Sequence, residues 1–316
     1  MLKYLIIQLD NTSTSFCHYA VNRREPRLMP LDTLRKAIRW SMIENVNVQF
    51  LYPNCELPAE YAEAIETVDH VKIMPASVPN ADCADILVFD GIDAVDADKL
   101  QSDMSIVVRT GKKAFFADYA LLDGILPKVS RLNVVITDIA TFTDDDFKAY
   151  EAALTRLSEA VKKEYVADHP VQFNLLTDRI MLKEMNNCGA GDESLTLAPN
   201  GRFYVCPAFF YDDEAESVGD IDNGPALKNQ QLFKRDYAPI CRICDAFQCH
   251  RCVWMNRRTT LEVNTPSHEQ CVVAHIERNA SRRLLESIRE VGTFMPDRDI
   301  PEIDYLDPFE KVRTNK

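Results

Sequence analysis

The sequence predicts an α/β chain: a complete or partial (β/α) barrel, with a doubly wound sheet as the alternative, then a small cysteine-rich region and a last helix. Three observations carry this. Strand-like runs of Val, Ile and Leu alternate with helical patterns through the first half. Seven of the ten cysteines crowd between Cys188 and Cys271. A single amphipathic pattern follows them. The change of character after Met185 and the return of periodicity at Val272 set the expected boundaries: barrel over 1–184, cysteine-rich domain over 185–272, helix and tail over 273–316.

The strand runs are "YLIIQL" from Tyr4, "VNVQFLY" from Val46, "HVKIM" from His70, "DILVF" from Asp85, "SIVVR" from Ser105, "LNVVIT" from Leu132 and "VQFNLL" from Val171. Continuous branched apolar residues suit parallel strands buried on both faces. Between them, "PLDTLRKAIRWSMIEN" puts Leu31, Leu34, Ile38 and Met42 on one helical stripe. "TDDDFKAYEAALTRLSEAVKKE" does the same with Phe147, Tyr150, Leu154, Leu157 and Val161, and spaces Thr143 and Asp146 as a capping box. From Met185 to Val272 turns, glycines and cysteines replace periodic patterns; a segment so poor in regular structure needs another source of order, and metal binding can contribute that folding energy. The last helix, "CVVAHIERNASRRLLESIREVG", offers Ile276, Leu284, Leu285, Ile288 and Val291 for burial. The proline- and charge-rich tail from Thr293 reads as extended or frayed.

The 316 residues, 46% apolar and 27% charged, are those of a globular protein. A net charge of −13 argues against nucleic acid and an anionic membrane as partners, both of which call for a basic surface. "MLKYLIIQLDNT" reads as a buried strand and not as a secretory signal, and no run is long enough to span a membrane. Clustered cysteines without an export signal imply a reducing, cytoplasmic setting and metal in preference to disulfides.

The cysteine spacing is specific. Cys188 is followed by twelve residues, Gly201, four residues and Cys206; then comes C-x2-C-x4-C-x2-C, made by Cys241, Cys244, Cys249 and Cys252; Cys271 closes the series. Each C-x2-C turn lets two thiolates grip one metal. The four-cysteine run alone can hold a tetrahedral zinc and leave three over, or the seven can serve two sites. Gly201 suits a hairpin turn that brings Cys206 back.

This series resembles the SPASM domain, the auxiliary-cluster module of many radical S-adenosylmethionine (SAM) enzymes that modify peptides. It matches in order, in the glycine and in the total, and is one residue short in each of the last two gaps of the run. The resemblance implies one [4Fe-4S] cluster on Cys241, Cys244, Cys249 and Cys271. A second would lie on Cys188, Cys206 and Cys252, with an iron open or bound by another side chain; zinc is the alternative. His250, His268 and His275 are further candidate ligands.

A radical SAM core should also carry C-x3-C-x2-C after its first strand, and no such motif occurs in the chain. In "LDNTSTSFCHYAVN" Cys17 fits the middle position, while Ser13 and Ala20 stand where the flanking ligands should be. In "LYPNCELP" Glu56 fits the cofactor-binding Gly-Gly-Glu-Pro motif, but Asn54 and Cys55 replace the glycines. The opening "MLKYLIIQLDNTSTSFCHY" and "FLYPNCELPAEY" look like those of the CXXX repeat peptide maturases. The resemblance implies a degenerate radical SAM barrel that does not cleave SAM, acting on a cysteine-rich precursor peptide. Its role is then either as a peptide-modifying enzyme or as a non-catalytic scaffold, peptide-binding or electron-transfer partner of a true radical SAM enzyme.

Two further groupings follow from the strand ends. Cys17, Cys55 and Cys83 fall in loops that a barrel would gather on one rim, as a further metal site or as three ordinary thiols. Asp10, Asp90, Arg109 and Asp138 each end a strand run, either to line a pocket or to cap a turn.

Overall fold

Runs such as "LIIQ" form strands because branched side chains pack on both faces of a pleated sheet. The computed structural model describes residues 2–13, 25–79, 81–185 and 187–302. In chain order the elements begin with β1 (Tyr4–Gln8), α1 (Leu31–Glu44), β2 (Asn47–Leu51), α2 (Ala59–Ile65), β3 (His70–Pro75) and β4 (Ile86–Asp90). They continue with β5 (Ser105–Thr110), α3 (Lys112–Asp118), α4 (Leu122–Ile125), β6 (Arg131–Ile136), α5 (Asp144–Val166), β7 (Gln172–Phe173) and α6 (Asp178–Met181). The cysteine-rich part supplies β8 (Ser194–Leu197), β9 (Phe203–Tyr204), α7 (Pro207–Asp212), β10 (Gly219–Asp220), β11 (Gly224–Pro225) and α8 (Val253–Thr260), before α9 (His268–Arg289). Among the described residues no helix is long and apolar enough to cross a membrane.

Contacts gather the chain into two units, each discontinuous in sequence: 1–89 with 188–238, and 90–187 with 239–316. In the first, strands run in the order β4, β3, β2, β1, β8, β9. All neighbours are parallel except β8 and β9, which form a hairpin. Leu5 and Ile7 of the first strand, Leu9 just after it, and Val48 and Phe50 of the second pack against Leu34, Ala37 and Ile38 of α1 and Tyr61 and Ile65 of α2. The opposite face, with Ile6, Gln8 and Thr196, is buried as well. The buried stripe of α1 runs through Leu34, Ala37, Ile38 and Ser41, and Met42, expected on it, is 63% exposed. Ser41 lies nearer than Met42 to the face set by Leu34 and Ala37, so it takes the inner position and returns its hydroxyl to the Ile38 carbonyl at 2.8 Å. Gly201, at φ +75°, sits in the hairpin turn as expected.

In the second unit β6 lies between β5 and β7, all parallel. The expected strand from Val171 pairs over two residues only. Asn174 ends it: its side-chain amide takes the place of a peptide, accepting from Val134 N at 2.8 Å and donating to the Val134 carbonyl at 2.9 Å. Thr143 and Asp146 form the expected capping box on α5, whose buried face is Tyr150, Ala153, Leu154, Leu157 and Val161. Helix α9 buries Ile276, Leu284, Leu285 and Ile288; Val291 lies past its end and is exposed.

Candidate functional site

The strand-end carboxylates serve local structure. Asp10 accepts from Thr12 N at 2.7 Å and Thr12 Oγ1 at 2.6 Å, closing a turn after β1. Asp138 accepts from Lys112 N at 2.7 Å, satisfying the first free N–H of α3. Arg109 lies 3.6 Å from Asp90. Asp10 and Asp138 thus take turn and capping roles, and Arg109 and Asp90 pair.

Behind Asp10 the end of β1 is held from inside. The buried Gln8 side chain donates to Tyr211 Oη at 2.8 Å and to the Asp10 carbonyl at 3.1 Å. The Tyr211 hydroxyl in turn donates to the carbonyl of Ser13. Ser13 is fully buried, and its Oγ accepts from Asp10 N at 3.1 Å. Its hydroxyl oxygen is thus committed to the turn. Cys17 lies outside the described residues, as do His18 and Ala20. Glu56 and Cys55 are exposed in the loop after β2, where burial first and then the charge of Asp10 push the Cys55 thiol up. Cys83 is also exposed, with its sulfur 3.9 Å from Met74 Sδ.

The seven clustered cysteines divide between the units, Cys188 and Cys206 in the first and Cys241, Cys244, Cys249, Cys252 and Cys271 in the second. None of the seven is joined to another described cysteine by a disulfide. Cys188 precedes a tight turn in which Gly191, at φ +80°, faces the Phe233 ring so closely that a Cβ would meet its Cδ1 at 2.5 Å. Cys206 stands immediately before α7.

Within the second unit the run folds as short turns that aim backbone donors at sulfur. Ala246 N donates to Cys244 Sγ, Arg251 N to Cys249 Sγ and Met255 N to Cys252 Sγ, each at 3.4 Å. Such donors stabilise thiolates and tune metal–sulfur centres. Burial disfavours the thiolate forms of Cys241, Cys244 and Cys249. Burial pushes Cys241 up to about 11, with Cys244 adding to the rise and Arg251 opposing it. Burial also raises Cys249, assisted by Cys241 and Cys244, and raises Cys244. Cys241 and Cys249 therefore lie near enough to Cys244 for its charge to disfavour their ionisation. Among the described residues, no group of three or more His, Cys, Asp or Glu side chains is closed to metal-holding geometry. The donors gathered at the run are soft sulfurs, N–H groups directed at them, and a buried imidazole beside them.

That imidazole is His275, whose Nε2 lies 3.5 Å from Cys244 Sγ. Its position one helical turn beyond Cys271 on α9 was the only sequence signal for it. His250 is driven towards its neutral form by burial. His268 packs its ring 6.2 Å from that of Phe147.

Next to Cys249, Glu277 of α9 accepts from Tyr150 Oη at 2.7 Å and from Gln248 Nε2 at 3.3 Å. Burial outweighs both bonds and raises its carboxyl to about 7, with Asp178 contributing. A folded-state value above the unfolded one means stability that is whole in acid and lost as pH rises from the ordinary carboxyl range through about 7. The expected loss for the metal-free protein is about 3 kcal/mol. Glu277→Gln should flatten that slope in urea titrations run at several pH values; an unchanged slope would remove Glu277 as its source.

No family model and no curated relative matches the sequence. Solved structures do. Polyhistidine-tagged anSMEcpe with bound AdoMet superposes with a TM-score of 0.60 at 12% identity, covering 97% of this chain and 97% of that one. Native anSMEcpe with bound AdoMet and Cp18Cys peptide gives 0.58 at 12%, covering 92% and 100%. The form with Kp18Cys peptide gives 0.55 at 13%, covering 91% and 99%. At such identity the likeness is one of fold: α/β, with a mostly parallel sheet like that of a partial radical SAM barrel, a cysteine-rich segment and a long last helix.

Proposed function

We propose that this chain is a peptide-maturation protein of the CXXX repeat type, with a SPASM-type metal domain over 185–272 and no functional SAM-cleaving cluster. It acts on a cysteine-rich precursor peptide. The observation that carries the reading is the set of backbone N–H donors aimed at Cys244, Cys249 and Cys252. Turns of that kind cost little when sulfur carries metal-bound negative charge and gain little around neutral thiols. The proposed ligands are Cys241, Cys244, Cys249 and Cys271 for one iron–sulfur centre and Cys188, Cys206 and Cys252 for the other, with zinc as the competing occupant. A likeness in fold to a protein solved with peptides written Cp18Cys and Kp18Cys supports the choice of substrate class.

The buried Ser13 hydroxyl, given over to Asp10 N, favours a second reading within the same site. A serine hydroxyl is a poor substitute for the cysteine thiolate that a catalytic cluster takes at this position, which suits a scaffold or electron-transfer partner of a true radical SAM enzyme. Metal and sulfide analysis after anaerobic purification tests the centre, with iron and sulfide expected. A peptide carrying cysteine should then perturb the cluster's absorption. No metal, or no response to peptide together with no binding, overturns the function; cleavage of SAM to 5′-deoxyadenosine overturns the loss of the catalytic cluster.

A further inference from the structure

Helix α1 lays its buried stripe on the sheet and turns its other side outward, beside α2. In the first unit a groove of about 570 Å³ separates the outer sides of the two helices, and Met42 and Ile43 line it. These neighbours in the chain are 63% and 72% exposed. An apolar centre with a charged rim is the form that contact surfaces take.

The rim here is sorted by sign. Arg35 and Arg39 stand on the α1 side, Glu60 and Glu63 on the α2 side, and all four are exposed. Arg35 lies 3.9 Å from Asp32 of its own helix, and among the described residues no ion pair joins α1 to α2 across the groove. Both rows keep their charge for something outside the helix pair.

Symmetry selects the occupant. Helices α1 and α2 each return the chain between parallel strands, so they run side by side in one direction. Counted back from the paired residues Val48 and His70, Met42 and Ala64 stand equally far along the two helices, and Arg39 falls between Glu60 and Glu63. A two-fold axis laid along the groove therefore turns each α1 over the α2 of a second copy. Arginines then meet glutamates at both edges, and Met42 reaches the small Ala64 opposite. A surface of this kind complements itself, as the interface of a two-fold dimer must. A ligand of one sign would match one row and oppose the other. The chain's net charge of −13 works against self-association, but two charges of each sign at the groove add nothing to that repulsion.

We propose that the α1–α2 groove is the interface of a two-fold homodimer, with Met42 and Ile43 at its centre and the arginine and glutamate rows paired between copies. The proposal is independent of the metal reading.

Sedimentation of the full-length protein between about 1 and 100 µM should show a reversible dimer. Reducing buffer keeps the exposed Cys55 and Cys83 from joining copies. Met42→Asp should weaken the dimer at least about tenfold. Arg35→Glu with Arg39→Glu, and in a second protein Glu60→Arg with Glu63→Arg, each set like charges against each other and should also weaken it at least about tenfold. Mixed together, these two reversed proteins should pair with one another nearly as tightly as wild type. A wild type that stays monomeric throughout removes the proposal, whether or not another polypeptide covers the groove. A dimer indifferent to all three changes belongs to another face and removes it too. Loss in both reversed proteins with no recovery on mixing would overturn the two-fold arrangement.

Discussion

Cys249→Ser is expected to abolish metal uptake at the centre proposed for Cys241, Cys244, Cys249 and Cys271, and to lower the melting temperature of the protein purified with its metal by roughly 10–20 °C. The size follows from what surrounds the run. Between Pro239 and Val253 the backbone makes one short 3-10 turn over Cys241–Ile243 and no other regular element. Its order therefore depends on side chains, and structural metal contributes folding free energy directly. A loss on the order of 5 kcal/mol, spread over a unit of this size, gives the stated shift. Calorimetry with and without chelator checks it. Chelator should bring wild type down to the level of the variant and leave the variant unmoved; equal melting curves throughout would mean that these sulfurs organise nothing.

Asp245→Asn carries the second large effect, a loss of about 3–5 kcal/mol in the metal-free protein. Asp245 Oδ2 accepts from Arg278 Nη2 at 2.7 Å and from Arg179 Nη2 at 3.4 Å, and both arginine side chains are buried. The substitution keeps the shape of the side chain and one acceptor, but leaves Arg179 and Arg278 facing each other without a carboxylate. Arg278→Met should cost less, because Asp245 then balances Arg179 alone. Urea unfolding of the apo forms tests the order of the two. A larger loss for Arg278→Met would show that packing, and not charge, governs this corner.

Much of the fold could be read from the chain because its signals are local. Branched apolar runs mark β1 to β6 by themselves, and Thr143 with Asp146 announces the start of α5 across three residues. The cysteine spacing is similarly local, and so was the expectation of metal-binding turns. What escaped depends on residues far apart in sequence. Nothing near Asn174 says that its amide reaches back to Val134, so the strand there looked longer than it is. Asp245 meets Arg278 across 33 positions, and Ser13 is claimed by Asp10 and Tyr211 through a turn and a distant helix. For Asp10 and Asp138 both a pocket and a capping role stayed open, because a carboxylate at a strand end reads the same whether it faces a ligand or an N–H. The apolar spacing of α1 admitted Met42 on its inner side, and only packing chose Ser41 instead.

The amide of Asn174 has a consequence beyond ending a strand. By occupying both the N–H and the carbonyl of Val134, it leaves that stretch of β6 without the unpaired ladder groups that recruit foreign strands. A side chain here does the work that a bulge or a lysine performs on other sheet margins, at the apolar Val134–Ile136 end of β6 that the two-residue β7 does not reach.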